Sequence, residues 1–358
     1  MNAVNPDLIH FETLKDALLT ILLRGYERVF IELPGWVVDV RNRFFWAYLL
    51  SFVVIGAWAY RRYYPEARTH VLKFLFPREI YTHPSAMLDY KLLLTNRLLG
   101  PASFLSRVLL GTGLITLVAT GTQEALIRLL GTHQETMRWS LLTSTLVVIA
   151  ITMLRDFSTY VTHSLSHKVP LLWEFHKVHH SAEVLTPFTI YRKHPIYNLF
   201  SDCVSLAVVA PLQGLVAYLF IGEAQPLTIF GANLVFAIFH FVGANLRHSH
   251  IWLSFGPTWG RILISPAQHQ IHHSKAERHW NKNFGEVFAL WDWLFGTLYL
   301  PGKVREVIEF GVAGADKQEH ATLLQAYFVP FTNCARIIRG YFAPSPLAHK
   351  AGANAGVE

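Results

Sequence analysis

Cysteine is nearly absent from this chain. Its 358 residues hold two, Cys203 and Cys334, far apart and each inside an apolar stretch. That excludes a disulfide scaffold and argues against thiolate metal sites. Charge is scarce as well. Only 15% of residues are Asp, Glu, Lys or Arg, against 52% hydrophobic, too apolar for an ordinary soluble domain of this size. Acids trail bases, 24 to 31, leaving a formal charge of +7. In so apolar a chain that surplus reads as Lys and Arg on the cytoplasmic side of a membrane, not as a nucleic-acid surface. The opening residues, Met1 to Glu12, lack the basic-then-apolar start and small-residue cleavage site of a signal peptide, so none is expected. Internal repeats and low-complexity tracts are missing too.

What the chain has instead is apolar runs and histidine. Five runs read as candidate membrane spans: Phe44 to Tyr60, Phe104 to Gly121, Leu141 to Leu154, Leu199 to Ile221 with Pro211 and Gly214 inside it, and Pro226 to Gly243. Arg61, Arg62, Lys73, Arg78, Lys91 and Arg97 fill the first connector, and basic residues follow spans three and five. Placing these connectors in the cytoplasm puts every histidine cluster on that side. Arg41 and Arg43, on the opposite flank of span one, do not fit this zigzag. Leu14 to Leu33 reads as an interfacial or re-entrant segment, and Pro344 to Glu358 as a disordered small-residue tail. The fold expected is all-α: a polytopic transmembrane helix bundle with a cytosolic, histidine-rich helical cap. Its expected parts are an N-terminal interfacial and transmembrane region (1–100), a catalytic domain (101–300) and a C-terminal segment (301–358).

Of 19 histidines, twelve lie between His163 and His273, where an even scatter would put about six. His163-Ser-Leu-Ser-His167 sets two imidazoles one helical turn apart on one face, as chelation of one centre requires. His176-Lys-Val-His179-His180 puts three on a face, and His269-Gln-Ile-His272-His273 repeats that pattern about ninety residues later. One such triplet is easily chance on a wet helix face. Two plus a pair are not. Eight imidazoles exceed the needs of one ion, so two are implied. Nitrogen donors without thiolate suit iron, copper, nickel or zinc, whereas Mg²⁺ and Ca²⁺ want oxygen.

Further residues group around these. His248 is the preferred additional ligand, while His240 and His250 stand between ligand and supporting role. His194, before Pro195, reads as substrate-facing or structural, and Arg192 as a substrate contact beside the cap. Asp156 either accepts an N–H from a ligating ring or pairs with Arg155 or another basic residue at the interface, and Tyr160 lies one turn before His163. Asn281, Asn283 and Asp292 read as hydrogen-bonding anchors that clamp the following segment over the site.

The blocks Asp156 to His167, Leu172-Trp-Glu-Phe-His-Lys-Val-His-His-Ser181, Arg192-Lys-His-Pro195, Ser265-Pro-Ala-Gln-His-Gln-Ile-His-His-Ser274 and Trp291-Asp-Trp-Leu-Phe-Gly-Thr297 resemble those of the fatty acid hydroxylase / sterol desaturase superfamily. The resemblance spans roughly Leu141 to Leu300. It implies a four-helix transmembrane core under a cytosolic cap. Two iron ions would be held there by His163, His167, His176, His179, His180, His269, His272 and His273, with His248 as counterpart of a further ligand. It also implies O2 as co-substrate and hydroxylation or desaturation of a lipid C–H bond, in a sterol, fatty acyl chain or related molecule. No flavin, nicotinamide or haem-domain fingerprint is seen, so an external electron donor is expected: a reductase, a ferredoxin or a cytochrome b5-like protein.

Three rival readings fit the residues less well. A histidine-rich zinc transporter or metal-binding protein would spread ligands through mid-span depths, whereas these gather at span ends. A bis-histidine haem protein needs isolated histidines on facing spans. A zinc hydrolase needs a catalytic carboxylate, for which Glu174 alone is near in sequence.

Overall fold

The computed structural model describes residues 19, 22–23, 25–66, 69–99, 112–132, 137–138, 140–221, 228–229, 232–302, 304–314 and 318–342. The architecture is helical. Among the described residues, strand is confined to two-residue ladders, one parallel (137–138 with 220–221) and one antiparallel (228–229 with 232–233).

The longest helix, α4 (Leu141–Lys168), starts at a capping box between Ser140 and Thr143 and stops where Pro170 bars Val169 from helical geometry. Its two halves differ in kind. Leu141, Leu142, Leu146 and Ile149 are exposed, whereas Asp156, Ser158, Tyr160, Thr162, His163 and Ser166 are buried. Exposed apolar side chains along the first half and buried polar ones along the second suit a helix that passes from an apolar surrounding into a packed polar site. After one residue, Pro170 opens α5 (Pro170–His180), so both helices deliver histidines to one place. Helix α6 (Pro195–Leu219) is capped by the His194 ring, whose Nδ1 accepts the Ile196 amide at 3.1 Å. Helices α4 and α6 are long and apolar enough to cross a bilayer, and only 17% and 11% of their apolar windows is buried within the protein. Beside α6 runs α3 (Thr112–Leu130). A Cβ at Gly214 would collide with the Ala119 carbonyl, so glycine is what lets α3 and α6 approach.

The expected five-span zigzag is only partly matched. Helix α1 (Trp46–Tyr63) packs with one face against the 245–254 loop. Its face of Tyr48, Phe52, Gly56 and Ala59 is buried, and Phe52 and Ala59 share a core with Leu246, Ile251 and Leu253. Both ends are tied to the same loop: Asn245 Nδ2 donates to the Arg43 carbonyl, and the Tyr63 and Tyr64 hydroxyls to Ser254 and His250 carbonyls. Its other face, Trp46, Leu50, Val54 and Trp58, is exposed and apolar. Helix α7 (Leu234–Phe241), within the fifth expected span, has eight residues, or about 12 Å of rise, too short to cross. The start of the second expected span (104–111), residues 1–18 and the 343–358 tail lie outside the described residues.

The remaining elements close over the histidines. Helix α2 (Pro84–Leu99) supplies Asp89, α8 (Pro266–His272) begins at a Ser265–Gln268 capping box, α9 (Leu290–Leu294) ends a long strap, and α10 (Leu323–Phe342) packs on α5.

Candidate metal centre

Nine imidazoles converge in two groups. His163, His167, His176, His180 and His272 form the first; His179, His248, His269 and His273 form the second, with ring nitrogens in each group within 4.8 Å of one another. Helix periodicity divides each triplet. On α5, His176 and His180 turn to the first group and His179 to the second; on α8, His272 turns to the first while His269 and the following His273 turn to the second. The groups touch, since the His180 and His273 rings stack at 4.6 Å.

The protein alone does not satisfy this array. His180 Nε2 lies 3.1 Å from His167 Nε2, 3.2 Å from His176 Nε2 and 3.1 Å from His272 Nε2. One nitrogen carries one proton or one lone pair, so it cannot bond favourably with all three. In the second group His248 Nε2 lies 3.3 Å from His179 Nε2 and 2.9 Å from His269 Nε2. His163 Nδ1 donates to the Phe284 carbonyl at 2.7 Å, which leaves an Nε2 lone pair, buried and without a partner. His272 Nδ1 donates to the Lys282 carbonyl at 2.8 Å and likewise turns Nε2 inward. Lone pairs converging on two points fit metal cations.

Electrostatics agree. Burial, then neighbouring imidazoles, hold His176, His180, His269 and His273 well below the usual histidine range. His179 is lowered by burial and then by Lys193, and His248 by burial and then by His179. Burial takes His272 down to about 4, with the Lys282 carbonyl opposing it. These rings are neutral at pH 7, as ligands must be.

The wall around them is aromatic. Phe284 meets the His163, His167 and His272 rings at 5.1–5.7 Å, Trp173 the His167 ring at 4.9 Å, and Tyr197 stacks on His176 at 4.6 Å.

The other sequence candidates fall elsewhere. Asp156 touches neither a histidine nor Arg155: it accepts Val287 N–H (2.8 Å), Phe288 N–H (3.1 Å) and Trp291 Nε1–H (2.9 Å), bolting strap 281–299 to α4. Asp292 accepts the Phe284 and Gly285 amides and the Thr297 hydroxyl, while the Tyr160 hydroxyl meets Thr297 Oγ1 at 3.2 Å. Asn283, at φ +57°, donates to the Gln268 carbonyl and accepts the Tyr299 amide. These residues hold the strap whose Lys282 and Phe284 carbonyls orient His272 and His163. Sequence reading missed those two carbonyls, because backbone acceptors leave no residue-type signal.

Arg192 is no surface contact. It is fully buried, pairs with Asp89 at 3.1 Å and donates to the carbonyls of Val178, Ser181, Ser85 and His320. His194 Nε2 meets the Tyr327 carbonyl at 3.1 Å, and the ring lies outside both groups. His250 Nε2 bonds the Phe74 carbonyl at 2.7 Å, and His240 stacks on Tyr48 at 5.1 Å; neither enters the two groups. His248 does.

Residues 148–297 match the fatty acid hydroxylase family. The chain is 28% identical over 205 residues to an ornithine lipid hydroxylase of Rhizobium tropici, covering 57% of this chain and 56% of the relative. It is 30% identical over 147 residues to an alkylglycerol monooxygenase of Caenorhabditis elegans (40% and 25%) and 30% over 155 residues to a cholesterol 25-hydroxylase of Homo sapiens (41% and 48%). The chain thus spans about half, or less, of these relatives' length. No solved structure matches it. The matched stretch holds all nine grouped histidines with the carbonyls that orient two of them, and over that stretch the chain is similar to the fatty acid hydroxylase family.

Proposed function

We propose that this protein is a membrane-embedded oxidoreductase that uses O2 and two iron ions to hydroxylate a lipid. The observation that carries the reading is the pair of buried imidazole groups whose lone pairs have no protein partner sufficient for them. His163, His167, His176, His180 and His272 would hold one ion; His179, His248, His269 and His273 the other. Iron bound there supplies reductive activation of O2. The net reaction takes a lipid C–H bond, O2, two electrons and two protons to an alcohol and water, with electrons from an external reductase, ferredoxin or cytochrome b5-like donor.

The chain's own residues do the rest. Lys282 and Phe284 carbonyls fix two ring tautomers, so that Nε2 faces inward. Phe284, Trp173 and Tyr197 exclude water from the rings. Helices α4 and α6 would cross the bilayer, the α4 end that carries His163 and His167 and the α6 end capped by His194 together on the cytoplasmic side, and admit an amphiphile laterally. The names of the relatives favour hydroxylation over desaturation as the outcome. Nitrogen donors gathered at one end of the apolar helices, not along them, count against the zinc-transport alternative.

The test is metal analysis and turnover of anaerobically purified protein. About two irons per chain, with lipid oxidation dependent on both O2 and reductant, is expected. A zinc-only protein indifferent to reductant would end the proposal.

A further inference from the structure

Beside the second histidine group lies an unbalanced knot of charge. Arg43, Lys193, Arg247 and Glu286 are within Coulombic reach of one another. Three are cations and one is an acid. Arg43 is 9% and Arg247 2% exposed. Arg247 uses Nη1 and Nη2 on the Glu286 carbonyl and carboxylate, the latter at 3.5 Å, and its Nε is buried without a partner. The Arg43 guanidinium, with five N–H donors, meets no acceptor among the described residues. Lys193 holds its ammonium 5.5 Å from the Tyr197 ring centroid, one aromatic ring away from His176.

The other charges nearby do not restore balance. Asp156 reaches Arg247 electrostatically but spends both oxygens on strap N–H donors. Asp202 acts on Lys193 from an exposed position, and Arg155, also exposed, acts on Glu286. Burying cations without counter-charge is costly, and a site that persists in doing so is built for an anion. This also accounts for Arg43, one of the two residues that fit no cytoplasmic connector: its side chain is buried beside the histidines.

We propose that Arg43, Lys193 and Arg247 form a pocket for the anionic head group, a carboxylate or a phosphate, of the amphiphile presented to the adjacent histidine centre. The inference rests on the function proposed above for what the pocket serves, but binding can be read without turnover. Planar guanidinium forks match both oxyanions, and Lys193 adds a point charge.

The experiment uses full-length protein in neutral detergent. Hexadecanoic acid, hexadecyl phosphate and uncharged hexadecanol compete for a bound fluorescent fatty acid, with iron measured on the same samples. The two anionic probes should bind about tenfold tighter than hexadecanol. Arg43→Gln and Lys193→Gln should each erase most of that preference at unchanged iron content, and Arg43→Lys should restore part of it. Inorganic phosphate should compete only weakly. Equal binding of acid and alcohol, or full charge preference in both Gln variants, would overturn the pocket. Inorganic phosphate as potent as hexadecyl phosphate would overturn its assignment to a lipid head group. Charge preference in a protein that binds no iron upholds the pocket while the oxygenase reading fails.

Discussion

Replacing Asp156 with Asn isolates the strap from the ligands it orients. The carboxylate accepts three hydrogen bonds, from the Val287 amide on Oδ1 and from the Phe288 amide and Trp291 indole on Oδ2. Asn has one acceptor oxygen. Turned toward Phe288 and Trp291 it keeps two bonds and points its NH2 at the Val287 N–H. One hydrogen bond is lost and a buried donor is left unmet, which costs about 1–3 kcal/mol. Local opening of the strap should rise by about 5- to 150-fold. Hydrogen exchange read by mass spectrometry on peptides covering 284–291 measures this directly. Because the same strap carries the Phe284 carbonyl that receives His163 Nδ1, iron content should fall in parallel, and Asp156→Ala should be worse on both counts. Wild-type protection of 284–291 in the Asn variant, or an Ala variant no worse than Asn, would refute the reasoning.

Other outcomes follow from the same geometry. His179→Ala (second group) and His272→Ala (first group) should each lose turnover and lower bound iron while the protein still inserts into membranes; full activity in either would remove that residue from the ligand set. Arg192→Ala strands buried Asp89 and frees several carbonyls, so it should destabilise the fold by about 3–5 kcal/mol, seen as a lower melting temperature; a variant of wild-type stability with only weakened substrate use would return Arg192 to the substrate side. After metal removal, stability should fall as pH drops from about 6.5 toward about 4. Burial lowers His272 to about 4, so the unfolded chain takes up protons first, and stability present above pH 6.5 is lost on the way down. A melting temperature flat between pH 7 and 4.5 would contradict it.

The histidine series was legible because chelation by a helix needs i, i+3 and i+4 spacing, and spacing is a property of sequence. Span count was less legible. Phe44 to Tyr60 has the composition of a crossing helix, yet its Tyr48–Phe52–Gly56–Ala59 face finds a partner in the 245–254 loop, and no local pattern announces a partner two hundred residues away. Asp156 and Arg192 were marked as near the centre, but their partners were not readable, because hydrogen bonds to backbone groups carry no residue code.

Sequence by itself determined that imidazoles gather at the ends of the apolar runs and in the connectors between them, and that each triplet has the spacing of one helical face. Only the tertiary structure decided which ring joins which group, that His248 enters while His240 and His250 stay out, and that Lys282 and Phe284 carbonyls set ring tautomers. The physical reason is reach. Helical periodicity and capping act over about one turn of chain, whereas a lone pair is aimed by whatever surface the whole fold brings against the other side of its ring.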